Sequence, residues 1–171
     1  GRAWQDTETR FHFDFDPKRF EDPKSIIDQV KEMGFHVCCW EYPLVSVNSP
    51  IYDELSAKGY FLTDRRNGLP YRYEWDMEPF GQVLTPLPDS SLIDFTNPAA
   101  YAWWRDEHKA LFDLGVDMIK SDFGEQVEPD CQAYNGDTGK RLHNVYPLLY
   151  NRCVYEASQL YAKDGACLLA R

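Results

Sequence analysis

One phrase recurs three times along this chain: an amphipathic helix, a glycine, and a short apolar strand ending on a polar or aromatic residue. The first copy opens at Asp22-Pro23, a helix N-cap followed by proline at the first helical position. It runs through Ile26, Ile27, Val30 and Met33 at helical spacing and closes at Gly34, before a strand from Phe35 to Trp40. The second opens at Asn97-Pro98, places Tyr101, Trp104, His108, Leu111 and Phe112 on one broad face, and closes at Gly115. Its strand, Val116 to Ser121, ends at Asp122. The third predicts a helix over 143–163 with Pro147 in its first turn, then Gly165 and a strand from Ala166 to Ala170 that ends at Arg171.

Apolar strands alternating with amphipathic helices read as parallel βα units with helices packed outside. No strand is followed by a GxGxxG turn, and no Walker loop is present. The connections are unequal: returns after helices are short, whereas those after Trp40 and Asp122 are long. The first holds a short predicted helix from Ser49-Pro50 to Gly59. It also holds a hairpin around Asp64 to Gly68, flanked by Tyr60 to Leu62 and Tyr71 to Tyr73, with Trp75 expected to close it. Long loops after strands are how the C-terminal face of a barrel builds a site, yet 171 residues fall short of the roughly 250 a complete TIM barrel needs.

The formal net charge of −10 makes the chain a poor match for phosphate backbones, so no nucleic-acid partner is expected. No apolar run approaches the roughly 20 residues that cross a bilayer, and the first residues lack the apolar core of a signal peptide. Cys38, Cys39, Cys131, Cys153 and Cys167 form no CxxC pair. They read as reduced thiols and a cytoplasmic location, with no metal site and no cofactor.

The densest chemistry lies in Gly115 to Glu125. Strand alternation puts Met118, Lys120 and Asp122 on one face, Ile119 and Ser121 on the other. Lys120 would keep Asp122 ionised, as a nucleophilic carboxylate requires, although by residue type alone such a strand-end pair is more often a structural salt bridge. His12, His36 and His108 read as surface, strand and helix residues, Trp104 as core, and Trp4 as a loop aromatic within reach of a ligand.

The string Lys120-Ser121-Asp122-Phe123-Gly124-Glu125 closely resembles the Lys-Thr-Asp-Phe-Gly-Glu nucleophile motif of glycoside hydrolase family 31, in its α-xylosidase branch. Asp14 to Pro17, Asp22-Pro23, the Gly34 to Trp40 strand, Asp94 to Pro98, His143-Asn144 and Leu169 to Arg171 are similar to family segments in the family's order. The resemblance implies an α/β fold, a partial (β/α)8 TIM barrel. It would have about three parallel strands, flanking helices and a hairpin-containing βα loop, with residues 1–171 a fragment of the catalytic barrel.

It further implies a retaining α-glycosidase acting on terminal α-xylosidic or α-glucosidic bonds through a covalent intermediate on Asp122. Trp40, Lys120 and Arg171 would bind the substrate, and Glu125 would order the loop. Passing the same intermediate to a sugar hydroxyl would make it a transglycosylase; alone, the chain could be a non-catalytic carbohydrate-binding fragment. The expected partners are an oligosaccharide or glycoside, the remainder of the barrel and, in a homo-oligomer, a second copy. The family's general acid lies downstream of Arg171 and its upstream substrate-binding Asp at the place of Gly1, so the isolated chain is expected to be inactive. Ser121 stands for the family's Thr, and Glu41-Tyr42-Pro43 stands where many relatives have Ile-Asn-Pro, a departure in the subsite wall.

Overall fold

The computed structural model describes residues 13–76, 78 and 88–171. Gly1, Trp4 and His12 lie outside the described residues. The first helix, α1 (Pro23–Glu32), is capped by the Asp22 carboxylate, which accepts from the Ser25 N–H at 2.9 Å. Ile27 is its buried residue; Ile26 and Met33 of the predicted stripe are exposed. Strand β1 (Cys38–Glu41) begins three residues later than the apolar run suggests. The reason is a side chain: Asp117 takes the Val37 N–H at 2.7 Å, and Val37 O accepts the Asp117 and Met118 amides. Ladder pairing therefore starts at Cys38, opposite Met118.

After β1 the chain forms β2 (Leu44–Ser46), α2 (Tyr52–Ala57), β3 (Thr63–Asp64) and β4 (Ser90–Leu92). The hairpin forms as its Asn67-Gly68 turn suggests: Gly68 N–H reaches Asp64 O, Asp64 N–H reaches Leu69 O, and Tyr71 N–H reaches Leu62 O, each at 2.8 Å. β2 pairs antiparallel with β4. Trp75 does not close the hairpin alone; it also reaches Tyr42 and Phe123, at 6.1 and 5.7 Å between ring centroids.

Helix α3 (Pro98–Leu114) is capped by Asn97 and buries Ala100, Trp104, His108, Leu111 and Phe112. Gly115 ends it at φ +106°, and a Cβ there would meet Ile27 Cγ2 of α1 at 3.3 Å, so both backbone and packing call for glycine. β5 (Met118–Ser121) follows, then β6 (Cys131–Gln132), which pairs with β3 and so joins the two long connections. The predicted 143–163 helix is two: α4 (Gly139–Leu142) and α5 (Tyr146–Tyr161), with Pro147 in the first turn of the second. His143 caps α4 and its Nδ1 meets Val127 O at 2.8 Å, which ties the break to the preceding loop. The last strand is β7 (Leu168–Ala170).

The three strands of the repeated phrase form one parallel sheet in the order β1-β5-β7. Helices α3 and α5 pack against each other, with Trp104, Phe112, Tyr146, Tyr150 and Ile119 fully or almost fully buried. Burying such side chains contributes roughly 1.5–3 kcal/mol each and fixes the strands against the helices. Among the described residues no helix is long and apolar enough to cross a membrane.

Candidate active site

The parallel ladder continues one residue past each strand. Asp122 N–H reaches Glu41 O at 2.9 Å and Arg171 N–H reaches Ser121 O at 3.3 Å. This aligns Trp40, Asp122 and Arg171 at the C-terminal ends of three adjacent strands. Period-2 alternation then turns Lys120 and Asp122 to the same face.

The side chains converge on one carboxylate. Lys120 Nζ donates to Asp122 Oδ2 at 2.5 Å and Trp40 Nε1 to the same oxygen at 2.7 Å. Among the described residues, Oδ1 has longer contacts, Phe123 N–H at 3.2 Å and Arg171 Nη1 at 3.5 Å. Burial pushes the Asp122 carboxyl up, but the hydrogen bonds from Lys120 and Trp40 outweigh it and hold the group below the ordinary carboxylate value. The Arg171 guanidinium bridges onward to Glu125 at 3.2 Å, so Glu125 ties the loop after β5 to the end of β7.

The residue after Asp122 is held in a conformation side chains seldom adopt. Phe123 has φ +64° and Gly124 φ +109°, so two consecutive left-handed residues turn the chain away at once. For a phenylalanine this costs on the order of 1–2 kcal/mol. Ring contacts offset it: Phe123 packs against Tyr42 at 5.8 Å and Trp75 at 5.7 Å, with the Arg171 guanidinium 5.3 Å from its centroid.

Three features escape a reading of the sequence. Tyr42 stacks on Trp40 at 5.1 Å and 30°; it lies two residues beyond Trp40, so carrying the strand alternation past Trp40 would have found it. Trp75 arrives from the far side of the hairpin and has no local signal. Glu41 points to the helix side, where it meets His108, and so leaves Tyr42, not Glu41, to shape the aromatic wall. A separate groove of about 670 Å³ opens beside the hairpin, lined by Tyr52, Arg66, Tyr71, Tyr73, Glu74 and Glu128 among others; none of the four converging residues borders it. Among the described residues no group of three or more His, Cys, Asp or Glu is placed to hold a metal ion.

A family model described as the TIM-barrel domain of glycosyl hydrolases family 31 matches residues 2–171. The α-xylosidase XylQ of Lactiplantibacillus pentosus is 37% identical over 176 residues, covering 94% of this chain and 22% of that protein. An α-xylosidase of Emericella nidulans is 34% identical over 161 residues, covering 93% and 19%. A solved family 31 sulfoquinovosidase from E. rectale, in complex with the aza-sugar inhibitor IFGSQ, is similar with a TM-score of 0.77 at 26% identity, covering 96% of this chain and 23% of that one. The chain thus spans about a fifth of the length of the relatives it matches.

Proposed function

The chain belongs to the TIM-barrel domain of glycosyl hydrolases family 31, and on that basis we propose that it carries the nucleophile of a retaining α-glycosidase, with terminal α-xylosides as the first substrate class and α-glucosides as the second. The observation that carries the reading is the ionised Asp122 carboxylate, held through Oδ2 by Lys120 and Trp40 at the strand ends.

In this reading Oδ1, the oxygen with the longer contacts, attacks the anomeric carbon. The C1–Oδ1 bond forms as the glycosidic C1–O bond breaks, and the departing oxygen takes a proton from a general acid. We place that acid in the rest of the barrel, about 5–5.5 Å from Asp122 as retention requires. Returned as a base, it takes a proton from water, whose oxygen bonds to C1 and releases Asp122. Lys120 and Arg171 donate to sugar hydroxyls, and Trp40 with Tyr42 forms the apolar wall against which the ring lies. The support is geometric and familial: a depressed carboxyl, flanking cations and stacked aromatics at one end of a parallel sheet.

The test is covalent trapping in the full-length enzyme with a mechanism-based fluoro-α-xyloside. An adduct on the peptide carrying Asp122, lost in Asp122→Ala with the circular dichroism spectrum intact, is expected. Labelling at another carboxylate overturns the assignment. The 171 residues alone should not turn over an aryl α-xyloside; measurable hydrolysis would contradict the placement of the acid outside them.

A further inference from the structure

Directly behind the nucleophile lies an acid–base pair that the proposed reaction does not use. Glu41 is 4% exposed and His108 is fully buried, with Nε2 at 2.6 Å from Glu41 Oε2. Trp104 Nε1 donates to Oε1 at 3.3 Å, and His108 Nδ1 lies 2.7 Å from the Trp104 carbonyl oxygen. Both ring nitrogens therefore face oxygen acceptors. With Glu41 ionised, only the imidazolium can donate to both, because a neutral imidazole has one N–H and would set a lone pair against an oxygen. With the imidazole protonated, as the neighbouring Glu41 charge favours, the two form a buried ion pair, and the Phe13 ring lies 4.9 Å from the histidine ring.

Its position gives it a consequence. Glu41 is gripped at both ends: its side chain by α3, its carbonyl by the Asp122 N–H at 2.9 Å. On either side of it, Trp40 donates to Asp122 and Tyr42 stacks on Trp40. We propose that Glu41 and His108 are positioning residues for Asp122, so that loss of the His108 proton loosens the end of β1 and slows formation of the glycosyl-enzyme. The inference rests on the reading of Asp122 as the nucleophile.

Other titratable groups face the pair from α5 and α3. From α5, Tyr150 and Cys153 are both pushed up, by burial first and then by the Glu41 charge, and stay protonated. On α3, Glu107 neighbours His108 in sequence and is raised by burial, while Arg105 contributes its main chain. For His108 itself burial works against the proton, but the Glu41 charge and hydrogen bond outweigh it and leave the group above the ordinary histidine value.

The experiment measures inactivation of the full-length enzyme by a fluoro-α-xyloside whose leaving group is fluoride, a group that departs with little help from a general acid. The alkaline limb of the labelling rate then reports on something other than the acid. In the parent, the rate should fall as pH rises through the His108 titration. In His108→Gln, labelling and kcat should drop roughly tenfold with KM within about twofold, a fraction of the roughly hundredfold that a 1 Å misplacement costs. Glu41→Leu/His108→Leu, which fills the site without charge and keeps the test open if the single variant fails to fold, should label slowly and without the alkaline limb. Labelling in the double variant at the parental rate with the limb retained overturns the proposal while leaving Asp122 as nucleophile. Absence of any Asp122 adduct in the parent overturns the function instead.

Discussion

Replacing His108 by leucine should be among the most damaging single changes to the stability of the chain. His108 is fully buried and Glu41 almost so, at 2.6 Å. Without the imidazolium, Glu41 must stay charged in an apolar layer or take up a proton. Removing one partner of a buried pair costs roughly 3–5 kcal/mol, and that loss is expected here. The opposite deletion, Glu41→Leu, leaves a histidine that can shed its proton near neutrality, and should cost less at pH 7. The double leucine variant should fall close to the parent, because a packed apolar pair replaces an ionic one. Urea unfolding followed by tryptophan fluorescence reads this directly. With a slope of about 2 kcal/mol/M, His108→Leu should lose about 1.5–2.5 M in midpoint at pH 7. In the parent, the folded-state pKa of His108 lies above its unfolded value. Its stabilisation is full below about pH 6.5 and is lost as pH rises through the folded value, a slope that the double variant should lack. If His108→Leu stays within about 1 kcal/mol of the parent at pH 7, Glu41 and His108 do not form a stabilising buried pair and the reasoning fails.

Lys120→Met removes the leading support that holds Asp122 below the ordinary carboxylate value against burial, so the acid limb of the pH–rate profile should move to higher pH; an unmoved limb counts against the pair. Gly139→Ala would place a Cβ 1.8 Å from the Glu128 carbonyl oxygen, a main-chain atom that cannot swing aside as a side chain can. A loss of about 3 kcal/mol, or about 6–12 °C in melting temperature, is expected by thermal unfolding, and a parental melting temperature would show that this loop yields. Asn97→Ala removes the α3 cap and the 3.1 Å bond to Gly59 O, and should cost about 1–2 kcal/mol in the same assay.

The parts of the fold that sequence made legible are those fixed by local physics. Asp22-Pro23 and Asn97-Pro98 start helices because a side-chain oxygen and a fixed φ are needed there, and Gly115 ends one because a left-handed residue is needed there. Lys120 and Asp122 share a face because side chains alternate along a strand. The strand starts were misjudged where a distant group intervened: Asp117 takes the Val37 amide, so β1 begins at Cys38 instead of Phe35. The division of the predicted 143–163 helix turns on His143 meeting Val127 O and on Gly139 lying against Glu128, contacts that no helical periodicity encodes. Trp75 is 48 residues before Phe123 and reaches it only because the hairpin and the β3–β6 pairing fold one long loop onto the other.

The site also shows why its supporting residues were harder to read than its reactive ones. At the end of β1 the order is Trp40, Glu41, then Tyr42 just beyond; at the end of β5 it is Lys120, Ser121, then Asp122 just beyond. In both, the outer two residues gather around the Asp122 carboxylate and the middle one faces the helices. The gathered residues carry their chemistry in their type, an indole, an ammonium, a carboxylate. The middle residues act only through what they meet: Glu41 finds His108, 67 positions away on α3, and Ser121 Oγ donates to Asn151 Oδ1 on α5. Each middle residue also offers its carbonyl to the next strand, Glu41 to Asp122 and Ser121 to Arg171. A change on the helix side therefore reaches the end of β5 or β7 through one main-chain hydrogen bond, and substitutions at His108 or Asn151 should register in the reactivity of Asp122 before those at exposed positions of the same helices.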